Sequence, residues 1–157
     1  MRQPPKHEIA KDAIKVWKIT SAIYFAIIIV VGELIVSFLF DFFSWYNVLA
    51  LVVTVLLGYI CTFVVPKLRW RRWRYELFDQ EIYVQHGILI VSRTLVPMAR
   101  VQHVDTKQGP ILKRYGLASV TISTAATVHE IPALNEEDAS ILRDHISELA
   151  RTEDDDV

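Results

Sequence analysis

The sequence predicts a membrane-spanning α-helical hairpin followed by a mainly-β domain that one C-terminal helix closes. Three observations predict it. Two long apolar runs occupy residues 19–40 and 46–65, with one charged residue in the first and none in the second. Short strand-type segments divided by turn residues follow them. A final segment carries apolar residues at helical spacing behind an acidic first turn. The bulk values, a net charge of -1 and a hydrophobic fraction of 52%, would suit an ordinary globular domain and conceal this division.

The first run, ITSAIYFAIIIVVGELIVSFLF, can cross a hydrocarbon core of about 30 Å as a helix rising about 1.5 Å per residue. The second, YNVLALVVTVLLGYICTFVV, is equally long for the task. Both are too continuously apolar for an amphipathic soluble helix, and in lipid the backbone must close its own hydrogen bonds. A cleaved signal peptide fits the first run poorly, because no small-x-small cleavage site precedes a soluble domain and a second span follows almost at once. Residues 41–45 leave room only for a tight extracytoplasmic turn, so the spans are antiparallel and both termini share one side.

Charge selects that side. Arg2, Lys6, Lys11, Lys15 and Lys18 precede the first span, and Lys67, Arg69, Arg71, Arg72 and Arg74 follow the second, whereas the turn has Asp41 and no basic residue. Lysine and arginine near short flanks are retained in the cytoplasm, so the reading is a multi-pass cell-membrane protein with both termini cytoplasmic. All four tryptophans, Trp17, Trp45, Trp70 and Trp73, lie at the proposed edges, where amphipathic rings prefer the headgroup level. Residues 1–18 are then a basic cytoplasmic N-terminus and residues 66–72 a basic juxtamembrane linker. Glu33, the one carboxylate inside a span, costs on the order of 2.5–3.5 kcal/mol near the bilayer centre and is expected to contact the turn or a partner helix.

The β domain is expected over residues 73–151. RYELF, EIYVQH, ILIVSRTLV, RVQHVDTK, ASVTIST and TVHEIP are strand-like, with turns at Asp79-Gln80, Gly87 and Ala125-Ala126. In EIYVQH, Ile82 and Val84 point to one face and Tyr83 and Gln85 to the other. Asn135 is a good N-cap, and Glu136, Glu137 and Asp138 suit the positive end of a helix dipole. Ile141, Leu142, His145, Ile146 and Leu149 form the stripe expected to cover the sheet. The acidic tail 152–157, TEDDDV, has nothing to bury and is expected to be disordered.

Within RVQHVDTKQGPILKRYG, Val101 and Val104 fall on opposite faces of a regular strand, so either a bulge intervenes or both faces are partly covered. Gly109-Pro110 ends the strand and starts a helical turn, from which Ile111, Leu112 and Tyr115 point inward. Gly116 closes that turn with positive φ, leaving Lys113 and Arg114 at the margin.

At this point the sequence resembles a known family. The run PMARVQHVDTKQGPILKRYGLASVTISTA is similar to the signature of the bacterial pleckstrin-homology-like family found in small two-span membrane proteins. The matching positions are Pro97, Arg100, Val101, Gln102, Val104, Gln108, Gly109, Arg114, Gly116, Leu117, Ala118, Val120, Thr124 and Ala125. The resemblance implies a pleckstrin-homology-like fold: a bent antiparallel sheet or partly open barrel with a C-terminal helix at one end. It further implies a family without an established catalytic centre, often encoded beside a larger membrane protein bearing several such domains. The compact TAATVHEIP hairpin departs from relatives that carry a longer glycine-containing loop there, which puts ligand contact through that loop in doubt.

The chemistry-bearing residues agree with a non-enzyme. His7, His86, His103, His129 and His145 lack metal-ligand spacing, lone Cys61 lies in a span, and no phosphate loop or nucleophile elbow occurs. No catalytic, metal or cofactor site is expected. His103 and Asp105 share a strand face, which reads as a polar edge before it reads as an acid-base pair. Arg100, Gln102, Gln108, Lys113 and Arg114 form the candidate surface for a partner or an anion, with hydrogen bonding to the loop around Gly109 as the structural alternative. Lys67, Arg69, Trp70, Arg71, Arg72, Trp73 and Arg74 are the candidate lipid contacts. Nucleic acid is not the expected partner of this basic run, because anionic lipid lies next to it and attracts each cation by about 1 kcal/mol. The expected function is a membrane-tethered interaction module, assembling with another membrane protein of related domains or with a second copy of the chain. The alternative is a binder of anionic headgroups.

Overall fold

The computed structural model describes residues 3–39 and 45–155 and divides them into two units: residues 14–68, and residues up to 13 together with those from 69 onward. Arg2, the turn residues Asp41 to Ser44, and the last two positions, Asp156 and Val157, lie outside the described residues.

The first unit holds the spans. Helix α1 covers Ala13–Leu39. Helix α2 covers Trp45–Tyr59, passes through a π-helical turn at Ile60–Val64, and continues as α3 over Val65–Arg72. Trp45 is therefore the first residue of a helix, where the sequence placed it in the turn. The expected linker 66–72 is helical too, despite Pro66. The π turn explains this: Val65 N–H bonds the Ile60 carbonyl five residues back, and the widened turn accommodates the proline ring, which would otherwise clash with the carbonyl four residues before it. Gly58 is buried, and a Cβ there would lie 3.2 Å from Phe25 Cδ1, so the small residue makes room for the Phe25 ring of α1. Lys18 Nζ sits 5.3 Å from the Phe63 ring centroid.

The second unit is built from two antiparallel sheets. One has the order β1-β2-β3-β4, formed by His7–Glu8, Arg74–Leu77, Glu81–Gly87 and Val91–Pro97. The other has the order β5-β6-β7, formed by Val101–Lys107, Leu117–Thr124 and Val128–Asn135. A 3₁₀ turn at Met98–Arg100 connects the sheets, and the short helix α4, Pro110–Arg114, connects β5 to β6. Helix α5, Glu136–Asp155, ends the domain. Ile82, Met98, Leu117, Val120, Ile122, Ile131 and Ile146 are fully buried, so both sheets and α5 share one core.

The expected basic N-terminus proves to be part of this domain. His7 pairs with Tyr75 and Glu8 with Arg74, so β1 lies before the spans and its partner β2 after them. Ile9 is buried at 2% exposure, and Ala10 N–H donates to the Ala133 carbonyl at 3.1 Å. Ala133 has a positive φ of 51° beside a register shift in the β6–β7 ladder, a bulge that turns its carbonyl out of the sheet. A two-residue strand has no periodicity to read, which is why the sequence concealed it.

Other local differences have simple causes. Residues 88–90 form a turn where a strand was expected, because Gly87 at φ 141° ends β3 one residue earlier. Tyr83 and Gln85 are buried along with Ile82 and Val84, so both faces of β3 are covered. The covering stripe of α5 runs through Ala139, Leu142, Ile146 and Leu149, while Ile141 and His145 are exposed. The helix also extends to Asp155, past the expected start of the tail at Thr152. Asn135 ends β7, and its Nδ2 donates to Asp138 Oδ2 at 3.0 Å in the first helical turn.

Candidate functional site

Two sheets that do not pair with each other leave a gap. The ladder of one ends at β4 and that of the other at β5, so each strand presents an unpaired backbone edge. Between them lies an open groove of about 920 Å³, lined by Thr94, Leu95, Val96 and Pro97 on one side, by Ala99 to His103 on the other, and by the β6–β7 turn at one end. A register shift between Val101 and His103 bulges Gln102 out of the β5 ladder. That bulge lets Val101 and Val104 both face inward, half-buried, which selects between the alternatives the sequence left open.

Of the five expected partner-surface residues, Arg100 and Gln102 line this groove together. Gln102 and His103 also line a smaller cleft of about 320 Å³ toward α5 with Arg151. Gln108 does not join them: its Nε2 donates to the Leu117 carbonyl at 3.0 Å and clasps the loop that contains α4. Lys113 and Arg114 are exposed on α4 as expected. The turn closes with Gly116 at φ 63°, its N–H donating to the Lys113 carbonyl at 3.1 Å. The five residues therefore separate into a groove pair, a loop clasp and two surface cations.

The juxtamembrane residues separate as well. Lys67, Arg69 and Arg71 are exposed. Trp73 is buried at 5% and stacks on His86 at 5.9 Å, so its ring is withdrawn from headgroups, contrary to the sequence expectation. Trp70 Nε1 donates to the Ile9 carbonyl at 3.1 Å. Arg74 bonds the Trp73 carbonyl at 2.7 Å and pairs with Glu8 at 2.8 Å. Arg72 donates to the Leu89 carbonyl at 3.0 Å. Arg72 and Arg74, two of the five basic residues, thus fasten the β3–β4 turn and β1, a use the sequence could not show because Leu89 and Glu8 are distant along the chain.

Among the described residues no group of three or more His, Cys, Asp or Glu side chains could hold a metal. Tyr75, whose ring lies tilted against His7 with centroids 5.6 Å apart, has its phenol pushed above its ordinary value by burial and secondarily by Asp138. In the span unit, Glu33, Ser37 and Asn47 line one cavity of about 490 Å³, which brings an amide and a hydroxyl near the intramembrane carboxylate.

Two long apolar helices, a bent and unclosed pair of antiparallel sheets and a closing C-terminal helix define a membrane-anchored pleckstrin-homology-like protein. Residues 13–150 match the bacterial PH domain family, and the chain belongs to it. Over the full length of both chains it is 49% identical to the UPF0699 transmembrane protein YdbS of Bacillus subtilis (strain 168). Over 67 residues it is 25% identical to the UPF0699 transmembrane protein YdbT of the same organism, covering 43% of this chain and 14% of that one. No solved structure matches the chain.

Proposed function

We propose that this chain is a non-catalytic interaction module, held at the cytoplasmic face by its span pair, which docks a strand of another membrane protein carrying related domains. The observation that carries this reading is the groove between the free edges of β4 and β5. Unpaired N–H and C=O groups along an edge accept an added strand, and neighbouring pockets select its side chains. Arg100 and Gln102 at the bulge supply donors beside that edge, and Leu95, 44% exposed, supplies apolar surface. The likeness of part of this chain to the much longer YdbT supports a membrane partner that contains related sequence.

The β1–β2 pair supports the shared side of the termini, because residues before and after the spans meet in one ladder. The basic flanks support the cytoplasm as that side. Exposed Lys67 and Arg71 favour a second contact, with anionic headgroups, that orients the module.

The test is affinity purification of the full-length protein in mild detergent, followed by mass spectrometry. Replacing Arg100 and Gln102 with alanine is expected to deplete a co-purifying membrane protein, whereas replacing Lys113 and Arg114 leaves its recovery intact. Recovery that is indifferent to Arg100 and Gln102 would rule out the groove as the docking site.

A further inference from the structure

The β domain carries one apolar feature that its core does not use. Leu89 and Ile90 are 87% and 85% exposed, far above the other large apolar side chains of this unit, of which Ile141 at 61% and Val128 at 60% come next. They are adjacent at the tip of the β3–β4 hairpin. Such exposure matches that of side chains in the spans, where Leu34 is 67% and Phe38 91% exposed.

The tip is built, not frayed. Gly87 at φ 141° starts the turn, and a Cβ at that position would lie 1.9 Å from the Ile90 carbonyl oxygen, so only glycine permits so tight a reversal. The root of the hairpin is tied to the residues that directly follow the second apolar run. Arg72 donates to the Leu89 carbonyl at 3.0 Å, and Gln85 Nε2 donates to the Arg72 carbonyl at 3.3 Å. Arg93 Nε donates to Gln85 Oε1 at 2.9 Å, and His86 stacks on Trp73 at 5.9 Å. Arg72 is the last residue of α3, which begins at Val65, the end of the apolar run. That helix rises only about 10 Å over its length.

We propose that residues 88–90 form a second, non-spanning membrane contact, in which Leu89 and Ile90 seat in the headgroup–acyl boundary of the bilayer that holds the spans. The occupant is anionic lipid. Exposed Arg71 and Arg93 flank the tip's tether and suit phosphate groups, and the apolar pair suits the upper acyl chains. Such a contact adds a third point of attachment to the membrane, beside the two chain connections that lead into and out of the spans. It stands independently of strand docking at the β4–β5 groove, and either reading survives failure of the other.

The experiment uses the full-length protein with Cys61→Ser, a single cysteine introduced as Leu89→Cys, Ile90→Cys or, for comparison, Ile141→Cys, and an environment-sensitive fluorophore on that cysteine. The protein is placed in nanodiscs of phosphatidylcholine with or without phosphatidylglycerol, containing lipid spin-labelled near the top of the acyl chain. Probes at 89 and 90 are expected to emit at shorter wavelength and to be quenched by the labelled lipid, more so with phosphatidylglycerol, while the probe at 141 does neither. Adding Arg93→Gln is expected to remove part of the phosphatidylglycerol response. Probes at 89 and 90 that report water in both lipid mixtures would overturn the proposal. So would probes that become dry only when a partner protein is added, since the occupant would then be protein.

Discussion

The span pair and the β domain use the same apolar residue types in opposite ways. In α1, Leu34, Ile35 and Phe38 are at least half exposed, whereas in the β domain Ile82, Met98 and Ile122 are wholly buried. The difference lies in the solvent each unit is built for: lipid is as apolar as the side chains, so the spans gain nothing by hiding them, while water drives the domain's apolar groups inward. Helix contact in the spans accordingly rests on a small residue, Gly58 against Phe25, and stability of the domain rests on a filled core. The two units are joined by more than one link. The sheet is completed by β1 from before the spans, so the span pair is an insertion within the domain.

Ile9→Ala gives the largest expected effect. Ile9 is 2% exposed, and removing it should cost the domain about 2–5 kcal/mol while both spans still insert. Thermal unfolding of the full chain in micelles, with insertion checked by alkaline extraction, separates the two. Equal loss of insertion and of domain stability would show that the units fold as one. In the spans, Gly58→Val forces a side chain against Phe25 and should cost roughly 1–3 kcal/mol of helix-pair stability, leaving the domain's transition unmoved.

Two backbone positions sharpen the domain side of the comparison. Gly116 has φ 63° and open space around its missing Cβ, so Gly116→Ala should cost about 1–2 kcal/mol from the left-handed conformation alone. Ala133 has φ 51° with a side chain already present, so Ala133→Gly should be neutral or stabilise by up to about 1 kcal/mol. The denaturant midpoint should fall for Gly116→Ala and stay level or rise for Ala133→Gly, and a fall in both would contradict this account of the two turns.

The smallest effect is one of pH. Because burial raises the Tyr75 phenol, the folded chain keeps the proton at a pH where the unfolded chain releases it. The stabilisation is complete below the ordinary value of 10.0 and is lost as pH rises above it toward the folded value. Tyr75→Phe should therefore flatten the fall in melting temperature above about pH 10 and change little near neutrality.

What could be read from the sequence follows the same division. Hydropathy is a property of consecutive residues, so both spans were legible, as were the strand order and the turns at Gly109-Pro110 and Gly116. Features that depend on distant partners were not. The fate of Trp73 is decided by His86, that of Arg72 by the carbonyl of Leu89, and that of Gln108 by the carbonyl of Leu117. Likewise, the stretch ILIV reads as strand by composition, and only the geometry of Gly87 turns its first three residues into a hairpin tip where Leu89 and Ile90 are exposed. Arg100 and Gln102 could be singled out by resemblance, but the unpaired edges beside them appear only once the strands are sorted into two sheets.

The central claim is that the spans interrupt one sheet, and a disulfide tests it most directly. His7 and Tyr75 are register partners, and paired residues in an antiparallel ladder lie about 4.5–5.5 Å apart at Cα, within reach of a disulfide. In native membranes carrying the full-length Cys61→Ser protein with His7→Cys and Tyr75→Cys, mild oxidation should link the peptides from before and after the spans within one chain, as read by mass spectrometry. A control with Gln3→Cys and Tyr75→Cys should link far less. Absence of the His7–Tyr75 link under conditions that oxidise both thiols, or a link formed only between chains, would contradict the inserted-span architecture.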